Sequence, residues 1–386
     1  MSINTLNPVE LTQRLIRCDT VSGGDERRAL ELLAEPLEAA GFNIEFDAYD
    51  SEHPCRCSLL ARLRPCAGEP ALCLCGHIDT VPPGTASWRH PPTAADIVDG
   101  RLYGRGSCDM KSGVAAMVCA AVHMAGKARA SRGDLTVQIY GGEETGCEGS
   151  FHVAAQARHL HGVAAVIVGE PTFCLPLSGH KGALWLRCTA KGVTAHASMP
   201  EQGDNALGKI IIFANRLLGF NPQGEHPVLG GSSCVLSTLH AGGNINSVPD
   251  SAVLTIDIRS VPGQDHTHLQ RAIENMAGPG ISLTTMLDIP PVWTSADHPW
   301  FADALAILEA SLGKKTGIAG VQFFTDAAAL RPALPDTPML ILGPGDPAQA
   351  HQTDENCPIS QISLATDMYT ALIADWFTRG ERHVRS

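Results

Sequence analysis

Short apolar segments that end at a glycine and are followed by an acidic residue or a histidine constrain the fold of this chain most. Ala71–Cys75 and Val163–Val168 are continuous apolar runs of strand length, and Leu135–Tyr140 is a third segment of strand character. Continuous runs of this length are typical of strands that are buried on both faces. Because helical segments such as Lys111–Ala125 alternate with them, we predict an α/β domain with a largely parallel sheet.

A second pattern interrupts this domain between residues 177 and 289. Strand, helix, strand, strand, helix and strand segments follow one another there, which is the order of ferredoxin-like α+β domains. After Pro290-Pro291 the earlier alternation of helix and strand resumes. We therefore predict an α/β domain formed by residues 1–176 and 290–386, with an inserted α+β domain formed by residues 177–289.

The composition narrows the range of partners and compartments. The 386 residues include 28 Lys plus Arg and 40 Asp plus Glu, which gives a formal net charge of −12. An acidic chain is a poor binder of nucleic acid and of anionic membranes, so we expect neither as a partner. The first residues lack the basic and apolar regions of a signal peptide, and the 13 cysteines form no evident disulfide framework. We expect a cytoplasmic, soluble protein with mostly reduced thiols.

Side chains of metal-binding type stand at the predicted carboxyl ends of the strands, where sites form in open α/β sheets. They are His77, Asp79, Glu143, Glu144, Glu170 and His351, together with Asp109 at the start of the helix Lys111–Ala125. Taken one at a time, such residues are more often solvated histidines, helix caps or charged turns. Their convergence favours a zinc-like metal centre, because a bound dication offsets the repulsion among the carboxylates.

The spacing of these residues suggests how metal binding and catalysis could be divided among them. In His77-x-Asp79 an extended backbone sends both side chains to the same face, so Asp79 can support the imidazole ring. In Glu143-Glu144 adjacent side chains point to opposite sides. One of the two can bind metal while the other acts as a general base, and the spacing alone leaves open which does which.

The motifs around these residues resemble those of the metal-dependent amidohydrolases of the peptidase M20 group. That group includes acetylornithine deacetylase, succinyl-diaminopimelate desuccinylase, aminoacylase-1 and carboxypeptidase G2. The matching stretches are GHIDTVPPG (76–84), DGRLYGRGSCDMKSGVAAM (99–117), GGEETGCEGS (141–150), VGEPT (168–172), GVTAHASMPEQGDNA (192–206), NSVPD (246–250), DIRSVPG (257–263) and LGPGDPAQAHQTDE (342–355). They follow the family's order over nearly the whole chain.

The resemblance implies a zinc-peptidase-like catalytic domain whose inserted domain serves as a lid and forms a homodimer. It implies two divalent metal ions. Zinc is the expected metal, and cobalt or manganese can substitute for it. The implied ligands are His77 and Glu170 for one ion and Glu144 and His351 for the other, with Asp109 bridging both. Two such ions would lie about 3.5–4 Å apart.

The same resemblance implies roles in the reaction. Glu143 would be the general base toward a hydroxide that bridges the metals, Asp79 would support a ligand, and His196 would stabilise the oxyanion. The implied substrate-binding residues are Asn246, Arg259, Lys181 and Thr325. From the residues alone, His196 could be a surface histidine at a strand end, and Arg259 could equally belong to a structural ion pair.

The expected substrate is a small N-acyl-amino acid. The ending LGPG…AHQTDE is most similar to acetylornithine deacetylases, so N-acetylornithine and arginine biosynthesis come first. The segment 323–328 departs from its relatives: Phe323-Phe324 replace small residues, and Ala stands where desuccinylases carry Arg. The alternatives are a carboxypeptidase or dipeptidase and an N-succinyl-diaminopimelate desuccinylase. A non-catalytic binding protein is a remote alternative, because all expected ligands and Glu143 are present.

Overall fold

The computed structural model describes residues 6–64, 70–128 and 133–379. These residues belong to two compact units. The first unit comprises Met1–Gly179, Trp293–Gly320 and Thr325–Ser386, and the second comprises His180–Val292 and Val321–Phe324. The interpretation of the second unit as a lid and dimerisation domain stays a prediction.

The described residues form ten α-helices. They are α1 (Pro8–Ile16), α2 (Arg27–Ala39), α3 (Lys111–Ala125), α4 (Glu148–Ala154), α5 (Ala157–Leu160), α6 (Ala206–Leu217), α7 (His266–Met276), α8 (Pro299–Leu312), α9 (Ala327–Leu330) and α10 (Ile359–Arg379). None of these helices is both long enough and apolar enough to cross a membrane.

The strands of the described residues are mostly short. They are β1 (Asn43–Ala48), β2 (Cys57–Leu63), β3 (Ala71–His77), β4 (Ile97–Val98), β5 (Arg101–Tyr103), β6 (Asp134–Tyr140), β7 (Val163–Val168), β8 (Gly179–His180), β9 (Gly182–Lys191), β10 (Glu225–His226), β11 (Gly230–Gly231), β12 (Ser233–Ala241), β13 (Ser251–Ser260), β14 (Ile281–Ile289), β15 (Val292–Trp293), β16 (Met339–Ile341) and β17 (Asn356–Pro358).

The main sheet of the first unit has the strand order β1-β2-β6-β3-β7-β16. Strands β6, β3, β7 and β16 are parallel to one another, whereas β2 pairs antiparallel with both β1 and β6. This arrangement confirms the predicted α/β class with a largely parallel sheet. It also brings the carboxyl ends of the four parallel strands to one edge, which is where the polar side chains follow.

Helix α3 is packed very closely against the sheet. It is rich in Ala, Val and Met, and most of its residues are buried. A Cβ atom at Gly113 would lie 2.1 Å from the carbonyl oxygen of Gly169, so only glycine permits this approach. The contact brings the start of α3, and with it Asp109, next to the end of β7.

The second unit contains the antiparallel sheet β12-β13-β9-β14. Its elements follow in the predicted order β9, α6, β12, β13, α7 and β14. The buried residues of β13 alternate with partly exposed ones, as expected for a sheet with one face against a core. Apolar residues of α6 and α7, including Ile210, Phe213 and Ile273, belong to that core.

Some details differ from the predicted secondary structure. The single helix predicted over 151–161 is two short helices, α4 and α5. The backbone of Gln156 between them leaves the helical region (φ −102°, ψ 87°), and its side chain donates to Asp47 Oδ2 at 2.6 Å. The small sheet β17-β5-β4 was not predicted, because strands of two or three residues carry no periodicity.

Candidate metal centre

Three residues from neighbouring elements form a buried cluster: His77, Asp109 and Glu170. His77 is the last residue of β3, Glu170 follows β7, and Asp109 precedes α3. His77 Nε2 lies 3.1 Å from Asp109 Oδ1 and 3.8 Å from Glu170 Oε1. The ligand atoms of the three residues lie within 4.8 Å of one another, which is close enough to hold one metal ion.

An open cluster is formed by Asp109, Glu144 and His351. His351 Nε2 lies 3.0 Å from Glu144 Oε2 and 3.4 Å from Asp109 Oδ2. Asp109 therefore belongs to both clusters, with Oδ1 facing His77 and Oδ2 facing His351. This is the arrangement expected of a carboxylate that bridges two ions.

The orientation of His77 leaves one ring nitrogen available for a metal. Its Nδ1 lies 3.0 Å from the main-chain carbonyl oxygen of Asp79. A carbonyl oxygen can only accept, so Nδ1 carries the hydrogen and donates it. The lone pair of the neutral ring is then on Nε2, which points at Asp109.

The carboxylate of Asp79 holds the turn that carries Glu143 and Glu144. Its two oxygens each accept a main-chain N–H at 3.1 Å, one from Glu143 and the other from Glu144. Ser22 Oγ donates to the same carboxylate at 2.9 Å. Asp79 Oδ1 also lies 3.5 Å from His77 Nδ1. Asp79 thus contacts both the His77 ring and the Glu143-Glu144 turn, and the contact with the turn was not anticipated from the sequence.

Glu143 is buried beside the clusters and belongs to neither of them. Burial, together with the charges of Glu170, Asp326 and Glu144, raises the pKa of its carboxyl well above the usual range. Asp326 is itself fully buried. Burial raises the pKa of Asp326 to about 6. A buried carboxyl such as that of Glu143 or Asp326 takes up a proton at a higher pH than an exposed carboxyl and can release it again.

The electrostatics of the clusters are those of a site built for cations. Burial opposes protonation of His77, but Asp109, Asp79 and Glu170 outweigh it and raise the pKa of the ring. Burial and the charge of Asp109 raise the pKa of Glu170. Hydrogen bonds to Asp109 and Glu144 raise the pKa of His351 to about 10. Protons therefore compensate the negative charge of these residues when no dication is present.

Two residues without a sequence-predicted role hold the segments around the centre. The buried carboxylate of Glu355 accepts the main-chain N–H of Asp109 at 3.0 Å, and Arg105 donates to the same carboxylate at 2.7 Å. Both residues lie in stretches that resemble the family motifs. Their position close to Asp109 and His351 in the sequence is the signal that could have drawn attention to them.

Other sequence-predicted residues lie in the second unit, where they form two groups. His196 and Asn246 are on adjacent extended segments: His196 pairs with Ser247, and the N–H of Ala197 donates to the carbonyl of Asn246 at 2.9 Å. His196 Nδ1 faces Ser198 Oγ at 2.8 Å, and the side chain lies on an exposed residue. The other group is Lys181 and Arg259, which line a cleft of about 460 Å³ together with Ser233, Gln322 and Phe323.

The cations of this cleft already have partners. Lys181 Nζ donates to the carbonyl of Gly231 at 2.5 Å, and Arg259 Nε lies 2.9 Å from Asp257 Oδ1. Thr325, in the first unit, is buried, and its Oγ1 accepts the N–H of Ala327 at the start of α9. The substrate-binding roles of these residues stay predictions.

Comparison with known proteins identifies the family. The model of peptidase family M20/M25/M40 matches residues 73–375, which is most of the chain. The chain belongs to this family. The predicted membership of the M20 group is therefore confirmed, and the chain is a hydrolase of the metallo-amidohydrolase type.

Relatives and solved structures agree with this assignment. The chain is 28% identical to a probable succinyl-diaminopimelate desuccinylase of Staphylococcus aureus (90% of this chain and 98% of the relative). It is also 28% identical to the succinyl-diaminopimelate desuccinylase of Methylobacterium nodulans (97% of each). The fold is similar to that of an M20 metallo-carboxypeptidase from Sulfolobus solfataricus (TM-score 0.77, 18% identity, 95% and 98% covered). It is also similar to YXEP of Bacillus subtilis, described as a dinuclear metal-binding peptidase (TM-score 0.68, 15%, 96% and 98%).

Proposed function

We propose that this M20 hydrolase uses two divalent metal ions to remove the acyl group from an N-acyl-amino acid, with N-succinyl-diaminopimelate as the leading substrate. The observation that supports the chemistry is the pair of clusters that share Asp109 beside the buried Glu143. The names of the curated relatives support a succinylated substrate. They do not support the expected first choice, N-acetylornithine with arginine biosynthesis, which now stands second.

The residues of both clusters fit metal ions. His77 Nε2 and His351 Nε2 each face carboxylate oxygens, and imidazole with carboxylate is a donor set that suits zinc. His77, Asp109 and Glu170 would hold one ion, and Asp109, Glu144 and His351 the other. Bound there, the ions would polarise the substrate carbonyl and lower the pKa of water. Zinc is our first choice, with cobalt or manganese as substitutes.

Glu143 supplies the proton transfers in this proposal. Its carboxylate takes a proton from the attacking water, and the resulting carboxyl gives that proton to the nitrogen of the departing amine. Burial of Glu143, which metal binding does not remove, favours the protonated carboxyl between the two steps. Asp79 keeps the side chain in place by accepting the N–H of Glu143 and that of its neighbour.

Residues of the second unit are assigned to the substrate. We assign His196 to the oxyanion of the tetrahedral intermediate and Asn246 to a polar group of the substrate. Arg259 and Lys181 are assigned to carboxylates, because a cleft with two cations suits an anionic group. An N-succinyl group brings a carboxylate that an N-acetyl group lacks. Thr325 is kept as a candidate for substrate binding.

A panel of substrates tests the proposal. The metal-loaded enzyme is assayed with N-succinyl-diaminopimelate, N-acetylornithine, other N-acyl-amino acids and dipeptides. We expect kcat/KM for the succinylated substrate to exceed that for N-acetylornithine at least about tenfold, the effect of one hydrogen bond to a charged group. Dialysis against a strong chelator should abolish activity, and zinc, cobalt or manganese should restore it.

The remaining outcomes separate the alternatives. A preference for N-acetylornithine would favour a deacetylase over a desuccinylase, and a preference for dipeptides would favour a carboxypeptidase or dipeptidase. Activity that resists chelation would contradict the metal-dependent mechanism. Failure to hydrolyse any of these amides with both metals bound would favour a non-catalytic binding protein.

We also propose that the protein is a homodimer formed through the second unit. Strand β12 is at the edge of its sheet and largely exposed, and Val235 and Leu239 on it are large apolar side chains in contact with solvent. Such an edge is suited to pairing with a second copy. Sedimentation at micromolar concentration should give a dimer, and a monomer there would contradict the proposal.

A further inference from the structure

Glu355 is a buried carboxylate surrounded by donors. Its side chain is fully buried, and its Oε1 accepts the main-chain N–H of Cys108 at 2.8 Å and that of Asp109 at 3.0 Å. Its Oε2 accepts the N–H of Gly106 at 3.0 Å and Nη1 of Arg105 at 2.7 Å. The segment that ends in Asp109 is therefore wrapped around one carboxylate, and its backbone conformation depends on that charge.

Arg105 extends the same contact to the other side of the centre. It is buried, and besides Glu355 its guanidinium group reaches the main-chain carbonyl oxygens of His351 at 3.5 Å and Gln352 at 3.4 Å. It also donates to the carbonyl of Pro82 at 3.2 Å. The planar guanidinium group has several donors in fixed directions, so one side chain can hold several segments at once.

Both residues are anchored independently of the metal ligands. The carbonyl of Glu355 accepts the N–H of Gly104, and the next residues form β17, which pairs with β5. The guanidinium carbon of Arg105 lies 5.3 Å from the centre of the Trp88 ring. The Arg105–Glu355 pair is thus a fixed point to which Asp109 and His351 are attached.

We propose that the Arg105–Glu355 pair positions the ligands of the open cluster. By fixing Asp109 and His351 relative to each other, the pair sets the affinity of this cluster for its metal ion. The inference rests on the proposed two-metal function. The buried cluster depends on the pair less, because only Asp109 is attached to it there. His77 and Glu170 are held at the ends of β3 and β7.

Glu355→Gln is the most direct test. The amide has the shape of the carboxylate but replaces one acceptor by a donor, so at least two of the four hydrogen bonds are lost. We expect the affinity of the open cluster for zinc to fall about 10- to 100-fold, the usual effect of losing a contact that orients a ligand, and that of the buried cluster to fall less. After dialysis, metal analysis should find close to one zinc per chain instead of two.

Matched variants make the result specific. Glu309→Gln removes a similarly buried carboxylate that accepts from Lys315 Nζ at 2.7 Å and Thr316 N at 2.8 Å, away from the centre, and should leave two zinc ions per chain. Arg105→Lys keeps the positive charge but loses the planar guanidinium group with its several donors. It should weaken the same site and serves as the second variant if Glu355→Gln does not fold. His351→Ala marks the zinc that belongs to the open cluster.

The outcomes are distinguishable. If folded Glu355→Gln and Arg105→Lys retain two zinc ions at wild-type affinity, the proposal is wrong, even if their thermal stability or activity falls. If the wild-type protein itself binds fewer than two ions, the proposed two-metal function fails first. Loss of one zinc in both variants, with wild-type stoichiometry in Glu309→Gln, supports the proposal.

Discussion

The buried cluster and the open cluster share Asp109 but rest on different parts of the fold. His77 and Glu170 are attached to β3 and β7, which are neighbouring parallel strands, and both side chains are nearly inaccessible. Glu144 and His351 lie on loops, and 52% of the His351 side chain is exposed. The sheet therefore fixes the ligands of one cluster, whereas loop contacts fix those of the other.

This difference shows what a loop needs in order to present a ligand. A strand end is held by the hydrogen bonds of its neighbours, so a side chain on it needs little further support. A loop needs its own holder, and each loop of the open cluster has a buried carboxylate in that role. Asp79 holds the turn of Glu144, and Glu355 with Arg105 holds the segments of Asp109 and His351.

The largest effect on kcat is expected from Glu143→Gln, which should remove catalysis and leave metal binding by both clusters intact. The amide cannot take a proton from water, so kcat should fall about 1000-fold, within the range for loss of a general base. Because Glu143 belongs to neither cluster, both zinc ions should remain, as measured by metal analysis of the same sample.

Glu148→Gln is the control for this variant. Glu148 follows the same turn but is exposed and paired with Arg56, and its substitution should leave kcat close to wild type. If Glu143→Gln kept a tenth of the activity, or lost a metal ion, Glu143 would not be a general base separate from the clusters.

A comparison of His351→Ala with His77→Ala tests the difference between the clusters directly. His351→Ala should lose the zinc of the open cluster and lower the free energy of unfolding less than His77→Ala does, because solvent screens the ion pairs of a half-exposed side chain. His77→Ala should lose the zinc of the buried cluster and also lower the free energy of unfolding by about 2 kcal/mol, because a buried hydrogen-bonded ring is removed.

Zinc titration by calorimetry and urea unfolding of the metal-free proteins measure these two quantities. Equal losses of stability in both variants would mean that the sheet holds its ligands no more firmly than the loops do. The comparison between the clusters would then be wrong.

The sequence was sufficient for the strand-borne part of this centre. The apolar segments that form β7 and α3 were predicted with their observed bounds. The parallel order of the strands brings their polar ends together, so His77 and Glu170 could be expected at one edge. The same reasoning predicted the elements of the second unit, because their alternation of apolar residues is strong.

The loop-borne part could not be predicted in the same way. The Arg105–Glu355 contact joins residues 250 positions apart, and neither residue has a periodic neighbourhood. Strand β17, which anchors Glu355, has three residues and no pattern. The role of Asp79 in holding the Glu143-Glu144 turn depends on the backbone geometry of that turn, and spacing in the sequence does not specify it.

Glu26 is a buried carboxyl that belongs to neither cluster, so it shows what burial alone does to a carboxyl in this fold. It lies at the start of α2, is fully buried and accepts a hydrogen bond from Tyr49 Oη at 2.8 Å. Burial raises its pKa from 4.5 to about 7. The folded protein therefore keeps a proton that the unfolded chain releases between these pH values. The resulting stabilisation is complete below about pH 4.5 and is lost as the pH rises to about 7.

Glu26→Gln removes this dependence, since the amide does not titrate. The difference in free energy of unfolding between wild type and Glu26→Gln should change by about 3 kcal/mol between pH 4.5 and 8, to the disadvantage of wild type at the higher pH. Urea unfolding at matched metal content measures it, and taking the difference cancels contributions that both proteins share. Glu31→Gln, an exposed residue of the same helix, controls for the loss of a charge.

Tyr49→Phe decides whether the hydrogen bond or burial sets this window. The hydroxyl of Tyr49 stabilises the ionised carboxylate, so its removal should raise the pKa of Glu26 further and move the loss of stability to higher pH. A pH profile that is identical for wild type and Glu26→Gln would mean that Glu26 has the same pKa in the folded and the unfolded protein. The ionised carboxylate of Glu26 would then be as favourable at this buried position as in the unfolded chain.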